Sequence, residues 1–295
     1  MHDTRSRPLT AWTGAWGPRI LWLAVGLAGA WSVGQALDGR SGGARATVAI
    51  VAWSAWGIGV VALMVPSTLG LTVMRMLSAL ACAAAIVSWA AGASPAAGAV
   101  FVACTLIAAL SIGSADFGRH CVQASAYGDE HRFLLRPPAA FLPPVAVAAL
   151  VWVAAVLAAT LLIAGQRWII GVITAAFAVL LTLLVLPRFN ALSRRWLVLV
   201  PAGVVVHDQI VLAETLMVSR SNLVGVELAL EGTEAADFTG PAGGHAVEIS
   251  MRSTVTALMA PTKDSPRGTA LHVQSLIVAP SRPGMVLAEY RYWSR

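Results

Sequence analysis

The chain has 295 residues, of which 58% are hydrophobic and only 12% charged, about half of the ~25% charged share of a soluble domain. A mean hydropathy of +0.75 excludes a single water-soluble globule, which must clothe its surface in polar groups, and makes lipid the solvent of much of the chain. The formal charge of +6 is unevenly split: 13 basic and 5 acidic side chains precede residue 196, and 7 and 9 follow it, so the positive charge flanks apolar runs instead of coating a soluble part, and nucleic acid is excluded as a partner.

Six apolar runs follow one another, at residues 20–37, 47–65, 71–91, 96–112, 145–164 and 168–186. Each is near the ~20 residues a helix needs to cross a ~30 Å hydrocarbon layer. Each must be helical, because lipid offers no partner to an open backbone. A basic n-region and Ala28-Gly29-Ala30 resemble a signal-peptide cleavage site, but the run continues apolar and further runs follow, so the first is expected to be retained. The breaks carry helix punctuation: Pro66-Ser67-Thr68; Gly92-Ala93-Ser94-Pro95, with Ser94 as N-cap and Pro95 as first helical residue; Pro143-Pro144; and Gly165-Gln166-Arg167. The fold class expected is a membrane α-helical bundle of about six transmembrane helices over residues 20–187, preceded by a cytosolic segment 1–19 and followed by a small β-rich domain with a C-terminal helix.

Counting Arg on the two sides orients the bundle. With the N-terminus inside, the inner segments hold Arg5, Arg7, Arg19, Arg75, Arg119, Arg132, Arg136, Arg188, Arg194 and Arg195, and the outer ones only Arg40, Arg45 and Arg167. Both termini are therefore expected in the cytoplasm of a multi-pass protein of the cell (inner or plasma) membrane. Trp12, Trp16, Trp168 and Trp196 lie near the expected interfaces, as aromatic anchors do. Arg75 is the only charge inside a span, near its end, where it can snorkel. The spans hold no Asp, Glu, Lys or His, which disfavours ion-coupled transport, since a coupled ion needs an intramembrane ionisable group. Cys82, Cys104 and Cys121 form no disulfide framework and read as small apolar residues.

Residues 113–144 are the longest connection of the membrane part. Asp129, Glu130 and His131 make it the candidate functional loop, but no paired metal-ligand spacing is present, and no metal or cofactor is expected. Phe133, Leu134, Leu135, Ala139, Ala140, Phe141 and Leu142 suit a position in the membrane interface, with Arg side chains on phosphate headgroups. A second reading docks this loop on the C-terminal domain.

Residues 188–195 form a polar linker, after which short Val, Leu and Ile runs alternate with turn residues: 196–200, 204–207, 211–218, 223–230, 246–251 and 271–279 read as strands, followed by a helix from Ser281-Arg282-Pro283. That is enough for one small barrel or sandwich over 196–295. His207-Asp208 closes a turn, with Asp bonding the backbone. No Gly-x-Ser-x-Gly or phosphate loop appears, and no catalytic residue is assigned. Arg195-Trp196-Leu197-Val198-Leu199-Val200-Pro201-Ala202-Gly203-Val204, Val218-Ser219-Arg220-Ser221-Asn222-Leu223-Val224-Gly225-Val226, and the closing strand with its helix resemble the bacterial pleckstrin-homology-like domains often attached to membrane spans. The stretches 126–138 and 192–208, with Leu212-Ala213-Glu214, resemble a family of actinobacterial polytopic membrane proteins, a likeness that implies no activity.

These features lead to a non-enzymatic anchor or scaffold whose β domain binds a protein partner or inner-leaflet headgroups. The mild acidity of residues 196–295 favours protein over anionic lipid. Two other classes stay open: a transporter or channel subunit with a regulatory domain, and a lipid-modifying enzyme using the loop from Asp116 to Arg136. Oligomeric state is not legible.

Overall fold

The structure, a computed structural model, describes residues 15–261, 265–266 and 268–294. The roles expected of Arg5, Arg7 and Trp12 lie outside the described residues. The chain divides into two compact units, Met1–Cys121 with Val145–Arg188, and Val122–Pro144 with Phe189–Arg295.

The first unit is helical. It holds α1 (Gly17–Ala36), α2 (Gly42–Met64), α3 (Thr68–Ala90), α4 (Pro95–Gly113), most of the short α5 (Ala115–Gln123), most of α6 (Leu142–Ala164) and most of α7 (Trp168–Ser193). Serine caps set the starts of three helices. The hydroxyls of Ser41, Ser67 and Ser94 accept from the backbone N–H groups of Ala44 (3.3 Å), Gly70 (3.0 Å) and Ala97 (3.3 Å), satisfying one orphan donor each. The Ser41 cap starts α2 at residue 42, five residues ahead of its apolar run, and α7 runs through Pro187 to Ser193, so most of the expected polar linker 188–195 is helix.

Five helices, Gly42–Met64, Thr68–Ala90, Pro95–Gly113, Ala139–Ala164 and Trp168–Ser193, are long and apolar enough to cross a membrane. The 20-residue α1 is less apolar than these, because Arg19 and Gln35 lie within it. Helix α1 runs antiparallel to α2 and to α4. Arg19 Nε donates to the Leu63 carbonyl (3.3 Å), tying the start of α1 to the end of α2, and Gln35 Oε1 accepts from Ser94 N (2.9 Å), tying its end to the start of α4. Between α1 and α2 the bonding is reciprocal: Trp22 Nε1 donates to the Trp56 carbonyl (3.0 Å) and Trp56 Nε1 to that of Trp22 (2.9 Å). Ser32 and Ser88, both buried, share a hydrogen bond of 2.9 Å between α1 and α3. Trp152 Nε1 donates to Thr182 Oγ1 (2.8 Å), joining α6 to α7.

Residues 113–123, expected to begin a loop, are mostly α5. Its Cys121 is buried, and burial pushes the thiol up to about 12 despite the nearby Arg75 guanidinium and a backbone bond from Ser67. Thiol chemistry runs through the thiolate, so alkylation of Cys121 in the folded, detergent-solubilised protein at neutral pH is expected to be about a thousandfold slower than after denaturation. Peptide mapping after a timed iodoacetamide pulse measures it.

The second unit is built on two four-stranded sheets. The first has the order β1-β2-β3-β4, from β1 (His131–Leu134), β2 (Arg195–Val200), β3 (Gly203–Asp208) and β4 (Leu216–Ser219), all antiparallel. The second has the order β5-β7-β8-β6, from β5 (Leu223–Leu228), β6 (Ala236–Asp237), β7 (Val247–Leu258) and β8 (Ala270–Val278). The sheets are laced together at two corners. Leu134 and Arg136 exchange backbone bonds with Ser281 and Ala279 (2.8 Å each), and Ala213 and Ala260 donate to Leu258 and Val211 (2.8 and 2.9 Å). Alternate residues of both sheets fill one core, among them Phe133, Leu197, Leu199, Val206, Ile249 and Leu276. Helix α8 (Pro283–Trp293) closes it with the fully buried Val286. Its Trp293 donates from Nε1 to the Val200 carbonyl (3.0 Å), and the Arg220 guanidinium lies 4.5 Å over the Trp293 ring while donating to that residue's carbonyl (2.9 Å).

Three departures from the sequence reading have local causes. Residues 131–135 form a sheet edge rather than lying at the membrane interface: Phe133 and Leu135 enter the core. The strand expected over 211–218 reduces to β4, since 209–215 turn and bond to the end of β7. β7 runs on past Met251 to Leu258 through an irregularity between Ser250 and Val255 that interrupts the alternation.

Candidate functional site

Three of the residues picked out from the sequence, Arg132, Arg195 and Trp196, lie on the first sheet of the β unit. The pairing Arg195↔Asp208 puts both side chains on one strand face, and Trp196↔His207 puts the next pair on the opposite face. Inward, Arg195 and Asp208 are 1% and 0% exposed and meet side-on. Nε donates to Oδ1 (2.8 Å) and Nη2 to Oδ2 (2.6 Å), the bidentate geometry that suits guanidinium and carboxylate. The other donors of Arg195 reach the carbonyls of Arg136 (2.6 Å) and Thr239 (3.3 Å). Asp208 Oδ1 also accepts from Ile210 N (3.1 Å) and Val211 N (3.4 Å), the turn-closing role expected of it. Arg195, expected at the membrane interface, is thus the internal fastener of β1, β2, β3 and the loop after β6. Arg136 donates to the His245 carbonyl, and burial lowers its pKa.

Outward, a column of planar groups stands on β1, β2 and β3. The Arg132 guanidinium lies 5.4 Å from the centre of the Trp196 ring, which stacks on His207 at 4.7 Å and 21°. Glu130 Oε2 receives Arg132 Nε (2.9 Å) and Nη2 (2.7 Å). Gln123 ties the turn behind them, accepting from Arg132 N (2.8 Å) and donating to the Glu130 carbonyl (2.7 Å). His207 Nδ1 shares a hydrogen bond with Thr215 Oγ1 (2.9 Å). Beyond them on this face Met217, in register with Val205, is half exposed. Trp, Arg and Met are the residue types enriched at protein interfaces.

The loop trio is not assembled into one centre. Glu130 is engaged by Arg132, His131 lies 3.4 Å from Glu289 of α8, and Asp129 is exposed. Among the described residues no three His, Cys, Asp or Glu side chains gather as a metal would need. Of the other residues picked out for orientation, Arg19 reaches the Leu63 carbonyl and lies over Trp16 (5.4 Å), and Arg188 reaches the Leu184 carbonyl (2.6 Å). Arg194 and Trp168 are exposed, Arg75 and Arg119 partly buried, and the Arg119 Nε is buried without a hydrogen-bond partner among the described residues. Sequence reasoning passed over Gln123 and His207 as site residues: Gln123 is placed by the end of α5 and His207 by strand register.

His207 titrates below the ordinary histidine range, chiefly through burial, then through the Arg194 charge; Asp208 works against this and Arg132 with it. The folded state therefore binds its proton less readily than the unfolded chain, whose histidine titrates near ~6.5. Stability is complete above that range and falls as the pH drops from it toward the folded-state value. A His207→Gln variant is expected to show a flatter stability profile between about pH 7 and about pH 5, measured as hydrogen exchange in β2 and β3. His120 of α5 shifts the same way, by burial and by Arg19 and Arg119, so the difference between the two proteins isolates His207.

Compared with protein-family models, curated proteins and solved structures, the chain matches none.

Proposed function

We propose that this is a non-enzymatic membrane scaffold: six spans, counting α1, hold a pleckstrin-homology-like β domain at the cytoplasmic face of the cell membrane, with both termini inside, and the domain binds a protein partner. The observation that carries the reading is that the loop between α4 and α6 supplies the edge strand of the β unit, fastened by Arg195 and Asp208. The domain is built from two separate stretches of chain, Val122–Pro144 and Phe189–Arg295, so the loop between two helices is part of its fold. Of its polar loop residues, Glu130 pairs with Arg132 and His131 with Glu289, and its first sheet presents Arg132, Trp196 and Met217 outward. The β unit, residues 122–144 with 189–295, carries no net charge, so it has no electrostatic attraction to an anionic headgroup surface, which favours protein.

The test places a photo-crosslinking amino acid at position 217 of the full chain in its native membrane. The expected result is one discrete protein adduct, lost when Trp196→Ala is added and absent when the crosslinker sits at position 271. Adducts with lipid alone, or the same adduct from both positions, would overturn the reading. A C-terminal tag accessible from outside intact cells would overturn the orientation.

A further inference from the structure

A crevice of about 850 Å³ opens among α1, α2, α3 and α6, within the ~300–1,000 Å³ of ligand-binding cavities. Its walls are apolar, from Gly29 and Val33 on α1 through Ala52 on α2 and Ala84 on α3 to Leu157 on α6. Ser88, a polar group of the wall, is satisfied by Ser32 and by the Ala85 carbonyl. Along α1 the lining runs from Trp22 to Leu37, about 22 Å at 1.5 Å per residue, deeper than one ~15 Å hydrocarbon leaflet.

Charge appears at one end only. Arg40, Ser41 and Gln166 border the crevice where α1, α2 and α6 end or begin. Asp38, the carboxylate nearest in sequence, is paired with Arg45 (3.7 Å). Arg40 makes no ion pair among the described residues, so this rim has a cation to spare. Gln166 gives a second, independent pointer. It closes α6 in the left-handed conformation at φ +60°, with its N–H bonded to the Ile163 carbonyl and that of Arg167 to Leu162 (2.9 Å each). Glycine is the usual residue at that point of such a cap, because a side chain there is strained. The chain instead keeps an amide side chain at this position, and it lines the crevice mouth.

We infer that the crevice binds one acyl chain of an anionic phospholipid, with the phosphate held at the rim by Arg40 and Gln166. An apolar shaft as deep as a whole acyl chain, ending in an unpaired guanidinium beside an amide donor, matches an amphiphile with a negative head. A zwitterionic lipid fills the same shaft but brings a cation toward Arg40.

Native mass spectrometry of the full chain in detergent, titrated with phosphatidylglycerol, phosphatidylcholine or a polyprenyl phosphate, tests this. Phosphatidylglycerol is expected to be retained about tenfold better than phosphatidylcholine, the order of one charge-assisted contact. Arg40→Gln and Gln166→Gly should each erase most of that preference, and neither threatens folding: Arg40 is exposed and glycine suits the cap. Ala84→Trp, which fills the shaft, should remove both lipids. Equal retention of the two phospholipids, a preference unchanged in the rim variants, or stronger retention of the polyprenyl phosphate would each overturn the assignment.

Discussion

Replacing Asp208 with Ala is expected to cost the β unit about 3–5 kcal/mol, because it strands the Arg195 guanidinium in the core. Arg195 is 1% exposed, so without the carboxylate its guanidinium has no solvent to turn to. The same change leaves the N–H groups of Ile210 and Val211 without their acceptor. Asp208→Asn should be nearly as damaging, although it preserves shape: the amide nitrogen turns its own donors toward Arg195. Replacing both partners with Met and Leu removes the stranded charge and should recover part of the loss. It stops short of full recovery, because the carbonyls of Arg136 and Thr239 lose a donor. Hydrogen exchange followed by mass spectrometry on the full chain reads this locally. Amides of residues 131–136 and 195–208 should exchange on the order of a hundred- to a thousandfold faster in the single variants, while those of α3 and α4 keep their protection. Unchanged exchange in β1 would show that the pair does not fasten the loop to the sheet.

How far such features can be read from the chain depends on how local their causes are. Ser94-Pro95 declares a helix start by itself, and the Ser94 hydroxyl does cap Ala97. The alternation in 195–200 and 203–208 declares a hairpin, since each strand turns one face to the core. Arg132-Phe133-Leu134-Leu135-Arg136 is different. An apolar triplet between two arginines suits a membrane interface as well as a sheet edge, and the strand that decides the matter lies about sixty residues further on. Arg195 misleads for the same reason. Next to Arg194 at the end of a span it reads as a flanking charge, and only the register with Asp208 reveals it as a buried one. The helical unit hides its faces more completely. In α2 or α4 nearly every position is apolar, so periodicity does not distinguish the side facing α1 from the side facing lipid. The crevice and the capping Gln166 at its mouth are equally invisible until the helices are in place.

The packing of α1 on α2 is the sharpest case of that hidden information, and it supports the second large effect. Each helix lays a tryptophan across a glycine of the other: a Cβ on Gly26 would overlap the Trp56 indole, and a Cβ on Gly59 would overlap that of Trp22. Each indole N–H is held on a carbonyl of the opposite helix. Gly26→Ala or Gly59→Ala therefore displaces one ring and breaks its hydrogen bond. In lipid there is no water to take up the freed N–H, and close approach at small residues is what holds helices together. Overpacking of about 1–3 kcal/mol together with a lost bond of about 1 kcal/mol gives an expected cost of roughly 2–4 kcal/mol for either change. Since the rings share one interface, the double variant should cost less than the sum of the singles. Thermal unfolding in detergent, followed by exchange of α1 and α2 amides, measures both statements. Full additivity, or a loss no larger than that of Gly57→Ala, where an added Cβ meets nothing, would show that the two tryptophans do not act as a unit.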